Sequence, residues 1–220
     1  MPYADLPVGK CQGESAIPPT TAHTDGPDTR TAILDVAERL VQSRGFNGFS
    51  YADVAAELGV TTAALHYHYR GKAELGEALI TRYAARFMTA LEAIAAGRAT
   101  PAGQLRAYAD LYLGTLRDER MCLCGMLAAE YTTLPEAMRG AIVAFFDDNH
   151  RWLAALLESS RAAGEVAFTG SADEAAQMIV GSLEGAMLVA RPYADAARFQ
   201  AVADRVIEHF TVPARPRRIS

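Results

Sequence analysis

The chain has 220 residues, half of them hydrophobic, and a formal net charge of −5. That length suits one small unit and one larger one. No apolar run is long enough to span a membrane, and no charged-then-apolar leader opens the chain. Cys11, Cys122 and Cys124 do not make a secreted disulfide framework, so the cytoplasm is the expected location.

Residues 1–27 mix Pro, Thr, Gly and Asp without helical periodicity and read as a disordered arm. Lys10 is its only basic residue, so it has little to offer a phosphate backbone. Asp28 or Thr29 starts a first helix in which Ile33, Ala37, Leu40 and Val41 fall on one face.

Residues 46–75 carry the most pointed pattern. Ser50 can cap a short helix whose apolar residues are Val54, Ala55 and Leu58. Gly59 then ends it, because glycine tolerates the left-handed backbone of a tight turn. Val60 plugs the corner. Thr61 or Thr62 caps a second helix with Ala63, Ala64, Leu65, His66, Tyr67 and His68. This is a helix-turn-helix layout, which sets its second helix in the major groove of DNA. Helix–glycine–helix corners also occur in proteins that never touch DNA, and two features tilt the choice. The second helix is dense in groups that bond phosphate or base edges, and Lys72 opens the next helix beside its first free N–H groups. Thr61, Thr62, Ala63 and His66 are placed to read bases. Ser50, Tyr51, Tyr67, His68 and Lys72 are placed to hold phosphates.

These residues resemble the TetR family of transcriptional regulators. The matching run starts at Ile33-Leu34-Asp35-Val36-Ala37-Glu38-Arg39-Leu40 and passes through Arg44-Gly45-Phe46, Ser50, Asp53-Val54-Ala55 and Leu58-Gly59-Val60. It continues with Leu65-His66-Tyr67-His68-Tyr69 and ends at Lys72-Ala73-Glu74-Leu75. The family usually has Tyr where this chain has His66, and Phe where it has Tyr69. The first departure bears on which operator is read, not on the fold. The resemblance implies a homodimer on a palindromic operator. It also implies a small-molecule effector bound in the larger domain, whose presence tilts the connecting helix and changes the separation of the two heads.

Charge divides unevenly along the chain. From Asp28 to Arg86 seven basic residues balance seven acidic ones; from Phe87 to Val212 ten basic residues face sixteen acidic ones. The acidity therefore sits in the larger domain, expected to face away from DNA, and a neutral head needs a second copy to bind well.

The expected organisation is all-α: a helix-turn-helix domain over 28–75, a helical effector-binding and dimerisation domain over 76–212, and a frayed tail over 213–220. A connecting helix runs from Lys72 to about Ala96, with Leu75, Leu79, Tyr83, Phe87 and Leu91 recurring at four. Pro101 opens a helix to about Asp118, and a bend follows near Met121. A short helical piece covers Met126 to Tyr131. Pro135 starts a long helix to about Ala163, and Ser171 caps another to about Tyr193. Asp195 starts the last, which ends near Phe210.

The last two helices leave much apolar surface. Met178, Ile179, Gly181, Ser182, Leu183, Gly185, Ala186, Met187 and Val189 ring the first of them, and small residues there permit close approach. An all-round apolar helix needs cover on more than one side, and a second subunit across a two-fold axis is the simplest cover; ordinary intrachain core is the alternative.

For an effector, the candidate lining is Phe87, Met88, Tyr108, Tyr112, Cys122, Met126, Phe145, Phe146, Trp152 and Met178, with Asn149 and His150 as polar groups. Such a set suits an apolar or aromatic effector, though aromatic stripes are also ordinary core. Cys122 and Cys124 offer an alternative, a thiol-based sensor of electrophiles or oxidants, if Arg120 or a helix N-terminus stabilises a thiolate. Two small buried hydrophobes is the plainer reading. No cofactor and no metal site are expected. No phosphate loop, metal cluster or nucleophile elbow supports an enzyme, so a helical carrier or enzyme without DNA binding is the remote alternative.

Overall fold

The computed structural model describes residues 27–97 and 99–211. The arm expected over 1–27 (Pro27 apart), Cys11 with it, and the tail expected over 213–220 lie outside the described residues. Among the described residues the chain is all-α: α1 (Pro27–Arg44), α2 (Tyr51–Leu58), α3 (Thr62–His68), α4 (Lys72–Ala96), α5 (Pro101–Arg117), α6 (Leu123–Ala129), α7 (Glu136–Ala162), α8 (Ala172–Ala190) and α9 (Ala196–Phe210). Short 3-10 turns follow α6 at Tyr131–Thr133 and α8 at Arg191–Tyr193.

Most boundaries follow from capping chemistry. The Ser171 hydroxyl accepts from the Glu174 N–H at 3.1 Å while the Glu174 carboxylate accepts from the Ser171 N–H at 2.8 Å. Asp195 accepts from the Ala197 N–H at 3.0 Å, and Thr100 from the Gly103 N–H at 3.2 Å just ahead of Pro101. One boundary differs from expectation. The short piece expected over Met126 to Tyr131 instead spans Leu123–Ala129. Its N-cap is Cys122, whose sulfur accepts from the Gly125 N–H at 3.5 Å. A cysteine gives no capping signal in sequence, so periodicity alone places the start too late.

α1, α2 and α3 form a head around Ile33, Ala37, Val54 and Leu65, all at most 1 % exposed. α4 leaves it for a body in which α7 packs on α8 and α8 on α9, with α5 alongside. Two sets of polar bonds tie head to body. Glu38 of α1, nearly buried, takes Arg82 at 2.9 Å and also Arg86, both on α4; Arg82 reaches Asp35 at 2.7 Å. At the other end of α1, Glu130 accepts from the backbone N–H of Phe46 at 2.7 Å and of Asn47 at 3.2 Å. Asn47 donates to Thr133 at 2.8 Å, the Met121 N–H to the Gln42 carbonyl at 3.1 Å, and Arg191 to the Ser43 carbonyl. The head is thus held by α4 on one flank and by the end of α6 on the other.

One face of α8 has no intrachain cover. Leu188 and Val189 are 61 % and 62 % exposed, and Met178 and, on α9, Val202 are also exposed. A Cβ added at Gly181 or Gly185 would meet open space. The rest of the stripe, including Ile179, Leu183 and Met187, is intrachain core, as are Phe199, Ile207 and Phe210 of α9.

Candidate nucleic-acid interface and effector site

The head builds the corner the sequence implied. Ser50 caps α2 reciprocally with Asp53: its hydroxyl accepts from the Asp53 N–H, and the Asp53 carboxylate accepts from the Ser50 N–H at 2.7 Å and from its hydroxyl at 2.6 Å. The Ser50 hydroxyl hydrogen bonds hold the Asp53 carboxyl below its usual range. Gly59 ends α2 with φ +67, and Val60 packs on the core. Thr61, not Thr62, caps α3, accepting from the Ala64 N–H at 3.3 Å. Leu65 is buried, and α3 turns Thr62, Ala63, His66 and Tyr67 outward. Tyr67 is 75 % exposed, the largest exposure among the big apolar side chains of the described residues.

Three residues expected at phosphates are engaged otherwise. Tyr51 is a buried brace: its phenol donates to the Tyr69 carbonyl at 3.1 Å, its ring lies 4.7 Å from that of His66, and burial pushes its pKa up to about 12. Its position opening α2 put it on the surface in sequence, but helix periodicity turns it under α3. Ser50 spends its hydroxyl on the cap. The Lys72 ammonium turns back into the head, donating to the carbonyls of Phe46 and Phe49 and lying 4.6 and 4.2 Å over their rings. Burial lowers its pKa. Lys72 thus closes the loop between α1 and α2 rather than standing free in solvent. His66 Nδ1 lies 3.2 Å from the Arg70 carbonyl, which can only accept. A hydrogen bond there is donated by Nδ1, which leaves the Nε2 edge of the ring facing outward. Arg70 and Arg44 are exposed beside this surface, and Arg30 lies 4.7 Å over the Tyr69 ring. In sequence these arginines count toward the head's charge and carry no assigned role.

In the body, the expected lining is partly brought together. Phe87 meets Tyr108, Tyr112 and Phe145 with ring centroids 6.1, 5.9 and 5.2 Å away, and Trp152 stacks on Tyr108 at 5.8 Å. Phe146 adjoins Phe145, and Met88 and Met126 pack half-buried against the same core. Asn149 is fully committed: its amide donates to the Phe145 carbonyl at 2.8 Å and its Oδ1 accepts the Tyr108 phenol at 3.1 Å. His150 is half-buried one residue on. Met178 does not belong, since it lies on the outer face of α8.

Tyr83, read only as part of the connecting helix's stripe, and Cys124, read only as a candidate thiol, join the cluster, and Glu184 is the member that the sequence reading lacks. The Tyr83 phenol donates to the Cys122 sulfur at 3.6 Å. Cys122 faces the Glu184 carboxyl, whose pKa burial pushes up to about 7. Glu184 is the only charged residue between Glu174 and Arg191, and that isolation was the available signal. Burial, and then the Glu184 carboxylate, push both thiols well above the ordinary range. Burial disfavours a thiolate there, in line with the plainer reading of Cys122 and Cys124 as small buried hydrophobes. Two surface clefts, of about 450 Å³ beside Thr100, Gln104 and Ser159 and about 470 Å³ beside Arg117, Glu119 and Arg191, lie elsewhere. No group of three or more His, Cys, Asp or Glu suited to a metal occurs among the described residues, and no described helix is long and apolar enough to cross a membrane.

Comparison with known proteins agrees with this geometry. Residues 33–79 match the model described as bacterial regulatory proteins, tetR family, and residues 101–206 match a tetracyclin repressor-like C-terminal domain. The chain is 26% identical over 195 residues to the transcriptional regulator AcuR of Cereibacter sphaeroides, covering 87% of this chain and 89% of that protein. It is 28% identical over 173 residues to the transcriptional repressor BepR of Brucella suis, covering 72% and 78%. A crystal structure of a TetR-family transcriptional regulator from Agrobacterium tumefaciens superposes with a TM-score of 0.81 at 33% identity, covering 85% of this chain and all of that one.

Proposed function

The chain belongs to the tetR family of bacterial regulatory proteins and is a DNA-binding transcriptional regulator, and from that premise we propose that it is a homodimeric, ligand-released repressor. Each α3 enters one of two successive major grooves of a palindrome, so half-sites lie about 34–36 Å apart. Thr61, Thr62, Ala63 and His66 read bases; Tyr67 and His68 hold phosphates, with Arg44 and Arg70 added at the flanks. Ser50, Tyr51 and Lys72 act by holding α2, α3 and the loop before α2 in register. The observation that carries this reading is the outward face of α3, polar and aromatic, with Leu65 its buried anchor and Tyr51 bracing it from beneath.

The dimer forms through the uncovered face of α8 with α9. Leu188, Val189 and Val202 supply apolar area there, and Gly181 and Gly185 let two α8 helices approach closely. The effector seats in the aromatic cluster between α4, α5, α6, α7 and α8. It biases a bistable body, and the head follows through the Glu38–Arg82–Arg86 ion pairs and through Glu130. The working place is the cytoplasm, where DNA and metabolites meet, and no catalysis is assigned. Nuclease footprinting on DNA flanking the chain's own gene tests this. The expected result is a two-fold symmetric protected sequence with two half-sites. Protection without symmetry, or none, overturns it.

A further inference from the structure

The unassigned group in the body is Glu184. It sits on α8 amid apolar neighbours, and its Oε1 has no hydrogen-bond partner. Its other oxygen lies against Gly125, so close that a Cβ there would clash with it. Among the described residues it is in no ion pair with Lys, Arg or His; the groups acting with it are Cys122, Cys124, Tyr83, Tyr108 and Tyr112. Without a cation the carboxyl is driven toward its protonated form, and a cation seated beside it restores the charge.

Beside it stands a wall of ring faces. Tyr83 is 6.1 Å from Phe87, which meets Tyr108 and Tyr112 edge to face. Aromatic faces attract a desolvated cation through their quadrupoles, and a carboxylate at the end of such a wall fixes its sign and position. We propose that the effector is an organic cation, seated among Tyr83, Phe87, Tyr108 and Tyr112, with its charge held by Glu184. This rests on the reading of the chain as a ligand-responsive regulator and names the chemistry of that ligand.

The same geometry says how the charge is felt at DNA. Cys122 and Cys124 stand at the start of α6 and Glu130 at its end. The rings are in mutual contact, so a ligand enters by moving side chains rather than by filling ready space. A cation that takes Glu184 displaces the Cys122 thiol and shifts the start of α6. Glu130 carries that shift to the backbone of Phe46 and Asn47, at the joint between α1 and α2.

The test uses the full chain and two pairs of probes that differ only in charge: benzyltrimethylammonium against neopentylbenzene, and their biphenyl counterparts. Trp152 is the single tryptophan and stacks on Tyr108 at 5.8 Å, so its emission reports occupancy. The expected result is that at least one cation binds about tenfold or more tighter than its neutral twin, and releases operator DNA. In Glu184→Gln the ratio falls toward one while the neutral twin binds as before. Equal binding within both pairs, no binding of either cation at millimolar concentration, or a ratio that survives Glu184→Gln each overturns the proposal. The comparison within the wild type stands even if the variant does not fold. Operator binding is measured on the same samples: its absence sinks the regulator reading, whereas operator binding with no preference for the cation sinks this proposal alone.

Discussion

Replacing Glu184 by Gln should reverse a pH-dependent instability. The carboxyl's Oε1 is buried, and burial raises its pKa from 4.5 to about 7, with the Cys122 thiol drawing it partly back. The folded chain therefore holds a proton that the unfolded chain has lost. Stability is full below the unfolded value and falls as pH rises toward the folded one. The gap between the two values corresponds to about 3 kcal/mol. Gln keeps the shape and cannot ionise. Melting curves of the wild type and Glu184→Gln, followed by circular dichroism without DNA, isolate this group because all other ionisations cancel in the difference. From about pH 5 to about pH 8 the variant should gain about 3 kcal/mol on the wild type. For a chain of this size that is about 6–12 °C in melting temperature. The neighbouring phenols and thiols, all raised above their ordinary values, do not titrate in this window. A difference that stays constant across the range would refute the buried, uncompensated carboxylate.

Lys72→Ala removes an ammonium from two loop carbonyls and two ring faces, and should lower stability by about 1–3 kcal/mol; an unchanged melting temperature would show those contacts idle. Glu130→Ala leaves the N–H groups of Phe46 and Asn47 without their acceptor, and should weaken effector-induced DNA release more than it weakens DNA binding itself. Equal release by variant and wild type in an anisotropy titration would take Glu130 out of the coupling. Gly185→Arg puts a charge onto the uncovered face of α8, and sedimentation should then show monomer or aggregate; an intact dimer would place the subunit contact elsewhere.

The helix-turn-helix was legible because its signals are local. Ser50, Gly59 and Thr61 each act within four residues of their own position, and all three do in the structure what their chemistry implied. Side-chain direction was harder. Tyr51 and Lys72 both stood at helix starts, and both turn inward because partners distant in sequence, the Tyr69 carbonyl and the loop before α2, take their polar atoms. The start of α6 was hidden because a cysteine serves as its cap. Periodicity shows the helices and the aromatic set of the body, but not that Glu184 turns its carboxyl inward. An apolar stretch draws attention to its hydrophobic residues, while Glu184 was informative because it interrupted them.

The central claim is that the outer face of α3 reads DNA. Its most direct test is the affinity of the dimer for its operator, by fluorescence anisotropy, for wild type and for a His66→Ala, Tyr67→Ala double variant. Both side chains are exposed, and His66 also rests against the Tyr51 ring, so matching melting and sedimentation of variant and wild type are the control for this comparison. The account predicts that it loses specific binding by about 2–4 kcal/mol while its weak, salt-sensitive binding to random DNA persists. An operator affinity equal to that of the wild type would contradict it.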